Sequence, residues 1–265
     1  MISPGFDEDL LDTSLVVWEL TSLPTYDDDK SLLWCPVDPE YIDNPALQAA
    51  KATYNWSRNF VGKLELCPWA KTSLETPGAI QFFVVSGEFV TDEATARRIV
   101  EEVARRFVQT VLPQDMHIGP SLLERAAIYF VLFPTKDSSP SLFVNDFPEF
   151  YNWFFELEER WDDDDLQDII AAPFHPDWEF SVDDNNEEEE QEQQQRALSY
   201  EKKSPVPLVS LVSARVVDQA GESVTSKIAS HNQQILLDQI NQKNGIDTLK
   251  QLWMTALYPE SRAEN

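Results

Sequence analysis

Cys67 stands before a proline in Leu64–Lys71, LELCPWAK, and is one of two cysteines in 265 residues. A thiol that can shed its proton is a soft nucleophile, and its reactivity depends on how far its surroundings favour the thiolate. Two readings are open: Cys67 attacks an electrophile, or it packs as a small apolar side chain. The helical pattern before it, Ala46–Gly62, predicts that the residue lies at a helix C-terminus closed by Pro68. There the negative end of the helix dipole works against a thiolate, and Lys63 and Lys71 are the local cations. His175, between Phe174 and Pro176, is the second chemical residue. It is either a general base or metal ligand held stiffly by Pro173 and Pro176, or a histidine closing a polar turn. The third group is Lys202–Pro207, KKSPVP, which either sets two cations over an anion or is an extended, stiff connection.

These residues need a frame. Ala79–Ser86 (AIQFFVVS), Ala126–Phe133 (AAIYFVLF) and Leu166–Ala172 (LQDIIAA) are apolar runs that predict three strands. The loops after them carry Ser86 and Glu88, Thr135 and Lys136, and His175 with Asp177. If the strands are parallel, those loops converge at the carboxyl edge of the sheet, where open α/β folds bind ligands; if they are antiparallel, the loops divide between two edges. A helix beginning at Thr91 places Ile99, Val103 and Phe107 on one face. A second, capped by Asn145 or Asp146, lines up Phe147, Phe150, Phe154 and Trp161 as core, and the acidic run Asp162–Asp165 after it suits a solvated turn. Helical patterns over Ser223–Gln242 and about Ile246–Leu257 close the chain. The order predicts an α/β or layered α+β fold, a small central sheet of three or more strands flanked by helices.

With 42% hydrophobic and 11% aromatic residues the chain can bury a real core. Its formal net charge of −27 repels nucleic acid and anionic membrane surfaces, leaving neutral, basic or metallic partners; a basic protein is expected on that charge, and a small anionic ligand only where the lysines of 202–207 gather. The acids concentrate in residues 1–44, eleven against Lys30 alone, and in the low-complexity run 183–195, DDNNEEEEQEQQQ. Both therefore read as appendages: an acidic N-terminal extension at 1–44, a single domain at 45–258 with a disordered insertion at 183–195, and a tail at 259–265. The cysteines form no disulfide framework, and no Cys/His spacing predicts a metal site. No apolar run is long enough for a membrane span and the N-terminus has no targeting pattern, so a cytoplasmic location is expected. Cofactor, reaction and oligomeric state are not legible in the sequence.

The order of these motifs resembles that of a known family. NFVGKLELCPWAK is similar to AVIGLNLCPFAK, QFFVVS to the strand that follows it, and FVNDFPEFYNW to an acidic-aromatic helix start. APFHPDWEF is similar to ASFHPxYxF, and KKSPVP to NRSPYP. Over Leu47 to Trp253 they resemble the uncharacterised family called domain of unknown function 1415. The resemblance implies a site containing the Cys-Pro cysteine, matching Cys67, and the Phe-His-Pro histidine, matching His175. Lys203, Ser204, Pro205, Val206 and Pro207 take the places of Arg-Ser-Pro-Tyr-Pro. Ser210 stands where a further histidine is expected, and Phe133 where another often ends the second strand. Lysine for arginine loses bidentate anion binding, and serine for histidine loses a base or ligand. The chain thus reads as a divergent member with Cys67 and His175 as its reactive pair and Lys203, Ser204 and Ser210 around the ligand. The other reading is a non-catalytic scaffold whose vestigial site is bordered by acidic segments that recruit a basic partner.

Overall fold

The structure, a computed structural model, describes residues 15–22, 32–41, 43–90, 92–112, 120–134, 143–161, 166–180, 189–242 and 245–258. The loop residues Thr135 and Lys136, the run Asp162–Asp165, positions 183–188 of the insertion and the tail 259–265 lie outside them. Within the described residues six strands form one mixed sheet: β1 (Val16–Ser22), β2 (Leu33–Pro36), β3 (Ile80–Val84), β4 (Ile128–Leu132), β5 (Ile169–Phe174) and β6 (Leu208–Ser213), in the order β2-β1-β3-β4-β6-β5. β1, β3 and β4 are parallel, β2 is antiparallel to β1, and β6 is antiparallel to both β4 and β5. Because β6 is reversed against both neighbours, β5 points the same way as β1, β3 and β4. The ends of β3, β4 and β5 and the start of β6 therefore share one edge, with Val84 paired to Leu132, and Leu132 and Phe174 each paired to Leu208. The convergence expected of parallel strands is met in a mixed sheet.

The strand sequences are apolar at successive positions because both faces are covered. On one face α3 (Glu93–Val111) and α5 (Phe147–Trp161) pack Phe107, Phe150 and Trp153 onto Phe83, Tyr129 and Val131. On the other α1 (Pro45–Trp56), α8 (Glu222–Gln242) and α9 (Ile246–Leu257) bring Leu47, Leu236 and Leu249 onto Phe82, Phe130 and Leu208. The alternation along each strand, Phe82 to one layer and Phe83 to the next, makes this a three-layer α/β/α arrangement. Caps fix the helix starts. Asn44 accepts from the N–H groups of Ala46 and Leu47 ahead of Pro45, Asp92 from Thr95, and Asp146 from Glu149. Two short helices, α4 (Leu122–Ala126) and α7 (Ala214–Ala220), lie before β4 and after β6, and no helix among the described residues is long and apolar enough to cross a membrane.

Two expectations change. Residues 1–44 are not wholly an appendage, since β1 lies inside the sheet between β2 and β3, with Val17 and Leu20 buried. The strand signal VVWELTS is ordinary; the surrounding acids masked it. The second half of the acidic insertion is also folded: Glu189–Ser199 is helix α6, packed against α8 and α9, with Ala197 fully buried. Glutamate and glutamine are good helix formers, Arg196 pairs with Glu192 one turn earlier at 2.8 Å, and the apolar anchors Ala197 and Tyr200 come at its end.

Candidate functional site

Against the α1 and α8 face of the sheet, over β4 and β6, lies a cavity of about 200 Å³. Its wall is mostly apolar, including Trp56, Trp69, Phe130 and Phe174, and its polar contributors include Cys67, Glu201, Lys202, Ser210 and Asn232. An apolar pocket with a few convergent polar groups is the usual form of a small-molecule site.

The chain reaches Cys67 by an irregular route. After Trp56, α1 continues as a π-helical turn, Ser57–Gly62, which sends Ser57 and Val61 toward the cavity. At Gly62 a Cβ would stand 3.2 Å from the Ser57 carbonyl oxygen and 3.3 Å from a Leu74 methyl, so this close turn favours glycine. Glu65 follows with φ 56°, the left-handed region that side chains other than glycine rarely occupy. The N–H of Leu66 donates back to the Val61 carbonyl at 2.9 Å, and the next residue is Cys67. The expected placement is thereby reversed. Cys67 does not close the first helix but precedes α2 (Ala70–Glu75), with the Ala70 N–H donating to its carbonyl at 3.1 Å. The backbone N–H groups of Trp69 and Ala70 also hydrogen-bond its sulfur and favour a thiolate, yet burial outweighs them and pushes the thiol pKa up. Cys67 is a neutral thiol at ordinary pH.

Asn232 ties the opposite walls together. Its Nδ2 donates to the Leu66 carbonyl at 2.9 Å and to Glu201 Oε1 at 2.9 Å, which fixes the amide orientation. Its Oδ1 is buried without a hydrogen-bond partner. Lys202, next to Glu201, sets its Nζ 5.0 Å from the centre of the Phe174 ring. Burial drives its pKa down, with the Glu201 and Glu158 carboxylates pulling the other way. Ser210, in the middle of β6, donates to the Ala172 carbonyl at a long 3.5 Å.

His175, Lys203 and Ser204 form a different group. Phe174 faces the cavity, so the next residue on the strand's course turns to the other layer. His175 is 1% exposed; its Nε2 donates to the Val144 carbonyl at 3.1 Å and its Nδ1 accepts the Asp177 N–H at 3.0 Å. Both nitrogens are thus engaged on a neutral ring. Burial among Phe147 and Phe150 lowers its pKa, against the hydrogen bond to Val144 and the charges of Asp177 and Asp146. Lys203 donates to the Pro176 carbonyl at 3.2 Å, and the Ser204 hydroxyl to the Val206 carbonyl at 2.7 Å. The His175 N–H donates to the Lys202 carbonyl at 3.1 Å. Together these contacts brace the sheet edge. The expected Cys67–His175 pair is not formed: the cavity takes Cys67 and Ser210, and the brace takes His175, Lys203 and Ser204.

Sequence reasoning missed Asn232 and Glu201 and gave Lys202 no role of its own. Asn232 had a signal: it interrupts the stripe Ile228, Leu236, Ile240 at helical spacing, where an apolar residue is expected. Lys202 and Glu201 had none, since only the tertiary fold brings them to the wall. Among the described residues no group of three His, Cys, Asp or Glu side chains is placed to hold a metal ion. No protein-family model matches the chain, and no curated protein or solved structure is detectably similar to it.

Proposed function

We propose that this protein binds a small, mainly apolar molecule in the cavity between the sheet and α8, with the polar end of the ligand turned toward Lys202 and Cys67. One observation carries this reading: an amine, a thiol, a carboxamide, a carboxylate and serine hydroxyls line a single, mostly apolar space. The site keeps Cys67 and Ser210 from the sequence reading and replaces His175 and Lys203 by Lys202 and Asn232. On the order of the Cys-Pro, Phe-His-Pro and Ser-Pro-x-Pro motifs, the same reading makes the chain a divergent relative of the domain of unknown function 1415 proteins. Trp56 and Trp69 border the cavity, so titration with octanol should change their fluorescence saturably, and Ser210→Phe, which fills the space, should abolish the change. An unsaturable response, or one that survives Ser210→Phe, would overturn the reading.

A second observation supports the scaffold alternative. Tyr151, Phe155 and Phe180 are 41, 53 and 42% exposed on the α5 side, beside the exposed acids Glu149, Asp177 and Glu179. Such a patch suits a basic segment with apolar side chains. Binding of a partner there should weaken with salt and with Phe155→Ser, while octanol binding stays unchanged.

A further inference from the structure

Among the side chains lining the cavity are a thiol, Cys67, and an amine, Lys202, both able to act as nucleophiles. Partial burial against an apolar wall acts on both in the same direction, favouring whichever protonation state is uncharged. The chemical result is opposite for the two. An uncharged thiol is the unreactive form, whereas an uncharged amine is the form with a free electron pair. Cys67 is moved toward its inert state and Lys202 toward its reactive one. Lys202 is also placed for it, on the cavity wall with Nζ 5.0 Å from the centre of the Phe174 ring.

We propose that the cavity accepts a neutral, apolar aldehyde or ketone and holds it as a Schiff base on Nζ of Lys202. This rests on the cavity being a ligand site, and it adds the chemical class of the ligand. The hydrocarbon part lies along the apolar wall, against Phe130 and Trp69, and the carbonyl reaches the end where Phe174 and Lys202 meet. The chain's net charge of −27 works against anionic carbonyl compounds such as keto acids, which leaves neutral ones.

The step balances without an outside oxidant or reductant. The electron pair of Nζ forms the new C–N bond while the carbonyl π pair moves to oxygen. Glu201, on the same wall and with one oxygen already engaged by Asn232, takes the proton that nitrogen sheds. It returns that proton to the carbonyl oxygen, making the hydroxyl of a carbinolamine, then carries the second amine proton to that hydroxyl; the C–O bond breaks, water leaves and C=N forms. Glu201 and Glu158 are the carboxylates whose charge bears on Lys202, and both favour the ammonium form. Their pull sets a lower limit on the pH at which the amine is free. Asn232 is a positioning residue that acts through Glu201.

The test is reductive trapping. Full-length protein is incubated with octanal and sodium cyanoborohydride at neutral pH, and modified lysines are mapped by peptide mass spectrometry. The expected result is one alkyl group on Lys202, formed at least about tenfold faster than on Lys71, whose side chain is 81% exposed. Lys202→Met and Lys202→Arg should both lose the rapid adduct, while Lys71→Arg, outside the cavity lining, should leave both the Lys202 adduct and the octanol response of Trp56 and Trp69 unchanged. Trapping spread over surface lysines, with Lys202 no faster than Lys71, would overturn the proposal even if octanol binds. If octanol fails to bind as well, the cavity reading itself falls, so the two failures are distinguishable.

Discussion

On the α3 and α5 side of the sheet, the Tyr129 ring lies tilted 5.3 Å from Phe83 and edge to face 4.9 Å from Phe107, and Trp153 lies 5.6 Å from Phe150. Across the same strands, Phe82 and Phe130 stack at 5.6 Å, but beside them the layer opens into a cavity. Both sides contain a buried polar ring or chain end. His175 has each nitrogen matched, whereas Asn232 leaves Oδ1 unmatched and Lys202 is held over Phe174. A polar group whose bonds are all made stiffens the fold, and one with capacity left over is available to a ligand. On this argument the histidine, the usual suspect for chemistry, is the structural residue, and the working end lies on the other face.

The sharpest way to break the contrast is to open the closed side. Trp153 is 1% exposed, meets Phe133 edge to face and donates to the Glu93 carbonyl at 3.0 Å. Trp153→Ala should cost about 3–5 kcal/mol in urea unfolding. A loss under about 1 kcal/mol would show that this layer is looser than its packing implies. On the open side, Asn232→Leu strips the donor from Leu66 and Glu201 and should cost about 1–3 kcal/mol. It should also speed alkylation of Cys67 by iodoacetamide, because the loop bearing the thiol is freed. Replacing residues 183–195 by a Gly/Ser linker removes the first half of α6 and should cost about 1 kcal/mol, lowering Tm measurably.

The smallest effect is a slope. Because the folded pKa of His175 lies below the ordinary histidine value of about 6.5, the unfolded chain takes up the proton more readily. Its contribution to stability is fully present above that ordinary value and is lost as pH falls through it toward the lower folded value. His175→Gln keeps a donor for Val144 and removes the titration. The variant should be about 1 kcal/mol less stable at pH 8 and should lose less stability than the parent between pH 7 and pH 5. An unchanged slope would mean that His175 takes up its proton as readily in the folded as in the unfolded chain.

The α/β class, β3, β4 and β5, and the long helices α3, α5, α8 and α9 were legible because each has a periodic apolar pattern and most have clear caps. β1 was hidden by acids on either side, α6 by low complexity, and β6, LVSLVS, read only as a short apolar segment. Proximity to one sheet edge was also legible: Phe174, Lys202 and Pro207 do meet there. The face was not. Whether residue 174 or 175 turns toward the cavity depends on the pairing of Phe174 with Leu208, set by strands far apart in sequence. Cys67 was misplaced because a π turn and a left-handed Glu65 carry the chain from one helix to the start of the next, and neither leaves a composition signal.

β6 ties β5 to the rest of the sheet, and of the six described strands a ribosome makes it last. β4 is finished at Leu132 and β5 at Phe174, yet the partner that both require begins only at Leu208. During that interval two apolar strands hold their hydrogen-bonding edges open at once, a condition that favours pairing with another chain. A nascent protein stalled before Leu208 is therefore a better template for aggregation than one stalled after Ser213, and chaperone demand should peak in that window.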